Sequence, residues 1–435
     1  AAGGGMRYGF WYRAESSVTG ASAAAGLGDG VCPKGTPLLE FFNNSAHSYV
    51  RYGFRVYDVY LPRKEPCNAN SPLVKAHFRK FNGWRNMENG AQISVVGANV
   101  YDGFDMIENV HAGWEMPGAQ GGAHKGAWGQ NMIVNGLIVG DSGLDDFSVD
   151  ALKARGMGSG GTGSQNNPLN PIAPSTKPMY GIEGPAWHRL TVSNTSFVGF
   201  SAGKQVAVGA LAKEGFAPRG GGMETRFEKI SWGKDGTAAS ANNRAYFMWS
   251  HEATFNDVDG TFTERGSQAT VVPYGNNGPD GRYTNRLLDL FPECDAADAR
   301  YGVGPAKGRI CVNSTFRRVS INTVAPSSKK YLDLVVGYSP NATGPWVQSA
   351  DLGYMRKKWR ALEDDHLIEL KVIGAIDVEI KDGHRCRIDN GKCYICSDCR
   401  PVGTIDDFPS VITANAKNAL KNQEELMKKQ EEKWG

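Results

Sequence analysis

The densest run of acid and base groups in the chain is Asp102, Asp105, Glu108, His111 and Glu115. Paired carboxylates suit cleavage of a glycosidic bond, because one donates a proton while the other steadies developing positive charge. The same residues read equally as solvated strand and turn groups, since no spacing rule makes acids in such a segment catalytic. His47, within NNSAHS, is either a general acid–base group or a ring hydrogen-bonded beside a turn. His188, in PAWHRL, has the same two readings. His251 and Glu252 are sequence neighbours, and neighbours in a strand point to opposite faces, which weakens them as a pair. The catalytic candidates are therefore Asp102, Asp105, His111 and His47.

Eight cysteines occur, at Cys32, Cys67, Cys294, Cys311, Cys386, Cys393, Cys396 and Cys399. The even count fits four disulfides in an oxidising compartment. Cys294 and Cys311 flank a Gly-rich excursion, and a bond between them would remove about 3 kcal/mol of unfolded-chain entropy. Cys32 with Cys67 is the second predicted pair, tying down the excursions on either side of 36–57. The spacing Cys386-x6-Cys393-x2-Cys396-x2-Cys399 suits four thiolates around zinc, whereas an extracellular setting turns the same residues into disulfides. Asn43, Asn194, Asn313 and Asn341 head glycosylation sequons. DVDG (257–260) has the opening of a calcium loop but lacks the later ligands and the terminal Glu.

The elements that must position these groups are short strands. Five strings share the form apolar–x–Asn or Gly–x–apolar followed by another turn: 39–56, 78–96, 132–143, 190–201 and 253–264. They predict strands of four to six residues separated by tight bends. The alternation breaks at Asn, which tolerates left-handed backbone, and stacked Asn at equivalent turns is a device of β-solenoids. The 55 glycines, without a collagen period, agree with many tight turns. Segments 114–130 and 150–180 are polar and rich in Gly, with Pro in both, and read as insertions leaving the coil, the second solvent-exposed and without a catalytic group. From about 266 the texture changes to ordinary strands such as YLDLVVGY (331–338) and LIELKVIGAIDVEI (367–380). Residues 413–435 are Glu/Lys-rich with few apolar positions and predict an exposed or docking helix.

Net charge is +3, so nucleic acid is a poor partner. No 18-residue apolar run exists, which argues against a transmembrane helix in this chain. The opening AAGGGMRYGFWYR has no signal-peptide pattern and no initial Met, so a piece of a longer protein is expected. Phe10, Trp11, Tyr12, Phe41, Phe42, Trp84, Phe104, Trp114 and Trp128 divide between stacking inside a coil and packing on sugar rings.

GFWYR (9–13), TPLLEFFNNSAHSYVRYGFRVY (36–57), GIEGPAWHRLTVSNTSFVGF (181–200) and FNDVDGTFTERGSQATVVP (255–273), followed by Cys294 and Cys311, resemble the β-helix of the fibrocystin-L family. They are less closely similar to the β-helix of cell-surface and secreted hyaluronidases that share an eight-glycine domain. The resemblance runs in order over about 8–340, and the stretch around Asn43, Asn44, His47, Tyr52 and Gly53 is its most specific part. It implies a right-handed parallel β-helix over 1–265; beyond it the strand texture and the composition of the end of the chain, outside the resemblance from about 345, predict a smaller C-terminal β domain with the Cys-rich segment over 266–412 and a helical tail over 413–435, an all-β chain overall. It also implies a structural or recognition module of the extracellular or cell surface, with the ciliary exterior as one setting. Its partners would be other subunits of a surface assembly, and glycans. The alternative is a polysaccharide-cleaving enzyme acting on acidic glycans. No cofactor is required, although a row of acids along one stacked face can take Ca2+.

Overall fold

The computed structural model describes residues 2–116, 131–142, 178–184, 189–200, 205–209, 224–234, 242–247, 254–274, 294–296, 299–304 and 306–312. It also describes eight further strands between 316 and 394. The described chain is mostly β, and its one α-helix is the four-residue Ala21–Ala24. The 413–435 tail, Trp128, His188, His251 and Glu252, and most of the two insertions lie outside the described residues.

Successive strands go alternately to two sheets. The larger receives β1 (Ala2–Gly3), β3 (Phe41–His47), β5 (Ala76–Trp84), β7 (Asn99–Ile107), β9 (Met132–Val134) with β10 (Leu137–Val139), β12 (Arg189–Val198), β14 (Glu224–Trp232) and β16 (Thr254–Asp257). The smaller receives β2 (Tyr8–Arg13), β4 (Tyr52–Tyr60), β6 (Asn89–Val96), β8 (Ala112–Glu115), β11 (Met179–Glu183), β13 (Gln205–Gly209) and β15 (Ala245–Tyr246). All these pairings are parallel. The strands bury the face turned to the other sheet, while outward residues of β3 and β5, such as Asn43, His77, Arg79 and Asn82, are exposed.

The core lies between the sheets and is built from columns. In the smaller sheet, Phe54, Ala91, Trp114, Ile182, Val208 and Ala245 are in register, and all are buried. In the larger sheet, Phe78, Tyr101, Ile133, Val192 and Phe227 form the matching column. Aromatic rings stack along and across it, Phe78 on Tyr101 of the next layer at 5.3 Å and Phe104 on Trp114 of the facing sheet at 5.2 Å. Burying each such side chain stabilises the fold by roughly 2–3 kcal/mol.

The Asn and Gly that interrupt the apolar strings mark corners. Asn43, Lys80, Gly103, Asn135, Asn194 and Lys229 all have left-handed backbone, with φ between 45° and 67°. Consecutive registers put them in one column. β3, β5, β7, β12 and β14 therefore bend at the same place, and β9 and β10 are one strand broken there. A second left-handed column, Gly4, Ser48, Arg85, Glu108 and Gly199, marks the exit from the larger sheet. One residue later stands a buried amide ladder. Asn86 Nδ2 donates to Asn109 Oδ1 at 2.9 Å, Asn109 Nδ2 to the Gly83 carbonyl at 2.9 Å, and the Tyr49 amide to Asn86 Oδ1 at 3.1 Å. Close approach between layers also selects glycine: a Cβ on Gly181 would sit 2.5 Å from the Ala207 carbonyl oxygen.

Parallel order stops at β16. β17 (Ala269–Tyr274), β18 (Cys294–Ala296) and β19 (Lys307–Val312) extend the larger sheet in antiparallel sense. The change of texture near residue 266 thus coincides with a change of pairing sense. Beyond it, β20 (Phe316–Thr323) pairs with β23 (Lys357–Glu363) and β25 (Val378–Ile380), and β21 (Tyr331–Tyr338) with β22 (Val347–Gln348) and β24 (His366–Ile373). β27 (Lys392–Tyr394) joins β24 and β26 (Arg387–Asp389), and all these pairs are antiparallel. Cys32 and Cys67 form a disulfide across a separation of 35 residues, worth about 4 kcal/mol of unfolded-chain entropy. Cys311 is also disulfide-bonded, and the register sets Cys294 directly opposite it.

Candidate functional site

The smaller sheet gathers a set of buried ionisable and amide groups from four consecutive strands and the turns that lead into them. Trp114 and Ile182 point into the core, so their neighbours Glu115 and Glu183 point to the opposite face. Register places Glu183 directly beside Glu115, and Gln92 on its other side. His111 Nε2 lies 2.9 Å from Glu183 Oε2, and both residues are 2% exposed. Asn89 Nδ2 donates to Glu115 Oε2 at 2.6 Å. Towards the start of the stack, Arg51 approaches Glu88 at 3.6 Å, and the Tyr52 hydroxyl hydrogen-bonds the same carboxylate. Arg55 donates to Gln92 at 2.8 Å and to the Tyr8 hydroxyl at 2.6 Å.

Electrostatics follow from burial. Glu115 is pushed up to about 7, first by loss of water and then by the neighbouring charge of Glu183; His111 and Asn89 pull the other way. Burial also raises Glu88, opposed by Arg51, and raises Tyr52 strongly. Glu115, Glu183 and His111 are thus buried together, with Glu88, Arg51 and Arg55 partly exposed beside them. His111 Nδ1 and Asn89 Oδ1 are buried without a hydrogen-bond partner. Chemically, such a set can hold a proton near neutrality.

The expected site residues are not brought together. His111 and Glu115 belong to this cluster. His47, Asp102 and Asp105 sit on β3 and β7 of the larger sheet. His47 stacks on Trp84 at 4.4 Å with Nδ1 3.1 Å from Ser48 Oγ. Asp102 accepts from Asn135 Nδ2 at 2.7 Å, in a ladder that Asn194 continues onto Asn135 at 2.7 Å. Asp105 is half-buried, which raises its carboxyl. Glu108 is a corner group: it accepts from Arg85 at 2.8 Å, from the Ser142 amide at 3.1 Å and from the Ser142 hydroxyl.

The carboxylates of DVDG are likewise occupied by their own turn. Asp257 accepts from the Phe262 and Thr263 amides, and Asp259 from the Thr261 and Lys229 amides. Among the described residues no group of three or more His, Cys, Asp or Glu is arranged to hold a metal ion. Of the sequons, Asn43 is exposed, Asn194 donates into the Asn135 ladder, and Asn313 and Asn341 lie outside the described residues. Cys393 is on β27, while Cys386, Cys396 and Cys399 lie outside. Phe104 and Trp114 are fully buried, and Trp11 and Phe42 are exposed.

Glu183, Asn89 and Glu88 were absent from the sequence-level candidates. A signal for Glu183 existed: Gly-apolar-polar recurs as GFR, GAQ, GWE and GIE at positions 53, 90, 113 and 181. The last two place a Glu at equivalent points of neighbouring strands.

No family model matches the chain. It is similar to fibrocystin-L from Mus musculus, with 30% identity over 365 residues, and to fibrocystin-L from Homo sapiens, with 28% identity over 364 residues. Each alignment covers 83% of this chain and 7% of the relative, so the chain spans a small fraction of the curated proteins it matches. No described helix is long and apolar enough to cross a membrane. These alignments, reaching over most of the chain, make it related to fibrocystin-L.

Proposed function

We propose that the chain is a structural and recognition module of an extracellular or cell-surface protein, with residues 8–265 forming a right-handed parallel β-helix. The observation that carries this reading is the parallel pairing of strand after strand from β2 to β15 in one sheet and from β1 to β16 in the other. Strands that alternate between two such sheets make a rod in which each layer covers the next. A rod of this kind holds loops at fixed spacing and resists unfolding. Similarity to fibrocystin-L supports a surface location, and the ciliary exterior is proposed as one such setting. The test is impermeant biotin labelling of intact cells expressing the whole parent protein, followed by peptide mapping to this region. Absence of labelled peptides from 1–312 refutes the location. A crystal structure with left-handed or antiparallel layers refutes the β-helix.

Cys294 is proposed as the partner of Cys311, which non-reducing peptide mapping tests directly. Assembly with other subunits is proposed through 414–435, using Leu420, Leu426, Met427 and Trp434. Deletion of that segment should reduce the assembled mass in light scattering, and an unchanged mass refutes it.

One observation favours the second reading, cleavage of acidic glycans: a carboxyl raised to about 7 beside a second carboxylate is the pattern of a general acid. Against it, Glu115 is 4% exposed and Glu183 2%. Incubation with hyaluronan and sulfated glycans, read by product size, decides: depolymerisation lost in Glu115→Gln establishes the enzyme.

A further inference from the structure

We propose that the turn 258–268 is a lid over a strand edge, latched by Glu264 onto the buried Arg244, and that it opens without disturbing the parallel layers. β14 pairs with β12 from Glu224 to Trp232, but with β16 only from Glu224 to Phe227. Among the described residues no strand pairs with the rest of β14 on the β16 side. Residues 228–232 therefore present an edge, and an uncovered edge is a template for pairing with another chain. The turn stands in for the absent strand by means of side chains. The Lys229 amide donates to Asp259 Oδ2 at 2.7 Å, and the Ile230 amide to Thr261 Oγ1 at 2.8 Å. Gly260 and Gly266, with φ of 77° and 69°, bend the turn back on itself. A Cβ on Gly260 would sit 2.2 Å from the Ser267 amide nitrogen, so the turn needs glycine there.

The latch joins three segments. Arg244, just before β15, is fully buried, with its guanidinium 4.5 Å from the Trp232 ring centroid. Its Nη1 donates to the Tyr301 hydroxyl at 2.7 Å and lies 2.8 Å from Glu264 Oε2. The same oxygen lies 2.9 Å from Arg300 Nη1, and Glu264 keeps 44% of its side chain exposed. A carboxylate half in water thus neutralises a cation wholly out of it, and removing the carboxylate leaves the buried cation without that charge. Phe262 anchors the lid, stacked on Phe227 at 4.0 Å. Its carbonyl accepts from Trp232 Nε1 at 3.1 Å and from the Tyr301 hydroxyl at 2.8 Å. Beyond Val258, side chains and not a backbone ladder hold the turn to β14, and a segment held in that way opens at lower cost than a paired strand.

The experiment is hydrogen–deuterium exchange of the full chain, read by mass spectrometry of peptides. Peptides over 228–232 and 258–268 should exchange faster than those over 89–96 and 190–198. Glu264→Gln should speed exchange in the first two roughly tenfold and leave the second two unchanged. In the unmutated chain about 1 M salt should give a smaller rise in the same two peptides, because it screens the exposed half of the latch. Should Glu264→Gln fail to fold, Arg300→Gln with the salt series carries the test, since Arg300 is partly exposed and its loss leaves the Arg244 pair in place. A rise spread equally over all four peptides would make Glu264 a general stabiliser and overturn the lid. No rise at 228–232 and 258–268 would overturn it as well.

Discussion

Glu115 loses water to the fold and gains Glu183 as its neighbour, and both effects favour its protonated form. Its folded pKa, about 7, therefore lies above its ordinary value of 4.5. Between those two values the folded state holds a proton that the unfolded state has released, so stability falls as pH rises through the window and levels off above it. Urea unfolding at pH 5.5 and pH 8 should show the native chain losing stability on the order of a few kcal/mol. Glu115→Gln should flatten that difference, and an equal slope in both proteins would show that Glu115 is not its source. Asn109 is another residue whose side chain serves several partners. Removing it leaves Asn86 Nδ2, the Asn86 amide and the Gly83 carbonyl without its bonds. Asn109→Ala should cost about 2–4 kcal/mol in equilibrium unfolding, since each buried orphan group costs 1–3. A cost below 1 kcal/mol would mean that water replaces the ladder.

At the scale of the element, a strand here is defined by where it bends. The apolar–Asn–apolar strings at 39–56, 78–96, 132–143, 190–201 and 253–264 fall on β3 with β4, β5 with β6, β9 with β10, β12, and β16. That much was legible because a left-handed corner needs a residue that tolerates it, and Asn43, Asn135 and Asn194 are such residues. Lys80 and Lys229 occupy the same column, and nothing in a lysine announces a left-handed corner. The cluster was less legible for a different reason. His111 and Glu183 are 72 positions apart and meet because β8 and β11 pair in register. Likewise Asp102 and Asp105 are close in sequence but straddle the left-handed Gly103, so nearness along the chain did not make them one site. The glycine column gives this scale its test. Gly181→Ala puts a Cβ against the Ala207 carbonyl oxygen and Phe200, and a backbone oxygen cannot swing away as a side chain can. Thermal unfolding should show a loss of about 1–3 kcal/mol, whereas Gly266→Ala, in open space, should lose less despite its left-handed backbone.

Over the whole molecule, stability in a stack is a sum of layers and of the contacts between neighbouring layers. The layers here are unequal. Rings from Phe41, Phe54, Phe78, Phe81, Phe104 and Trp114 interlock at one end of the core. Phe227 stacks on Phe262 at 4.0 Å, with Trp232 and Phe255 around them, at the other. Between the two lie aliphatic Ile133, Ile138, Ile182 and Val192, and no ring contact between described core residues bridges the groups. The same waist has the short strands β9 and β10, three residues each, on either side of the left-handed Asn135. Ile138 joins the halves: it faces Met106 on one side and Phe197 on the other. Local opening takes the path of least buried apolar contact, so amide exchange should be faster in β10 than in β7 or β12. Ile138→Ala removes the central aliphatic contact and should cost about 2–4 kcal/mol. Because the loss falls on the coupling between halves, denaturant unfolding of the variant should resolve into two transitions, with near-ultraviolet dichroism of the two aromatic groups lost at different midpoints. A single transition shifted to lower denaturant would show instead that the waist transmits cooperativity as well as the aromatic layers do.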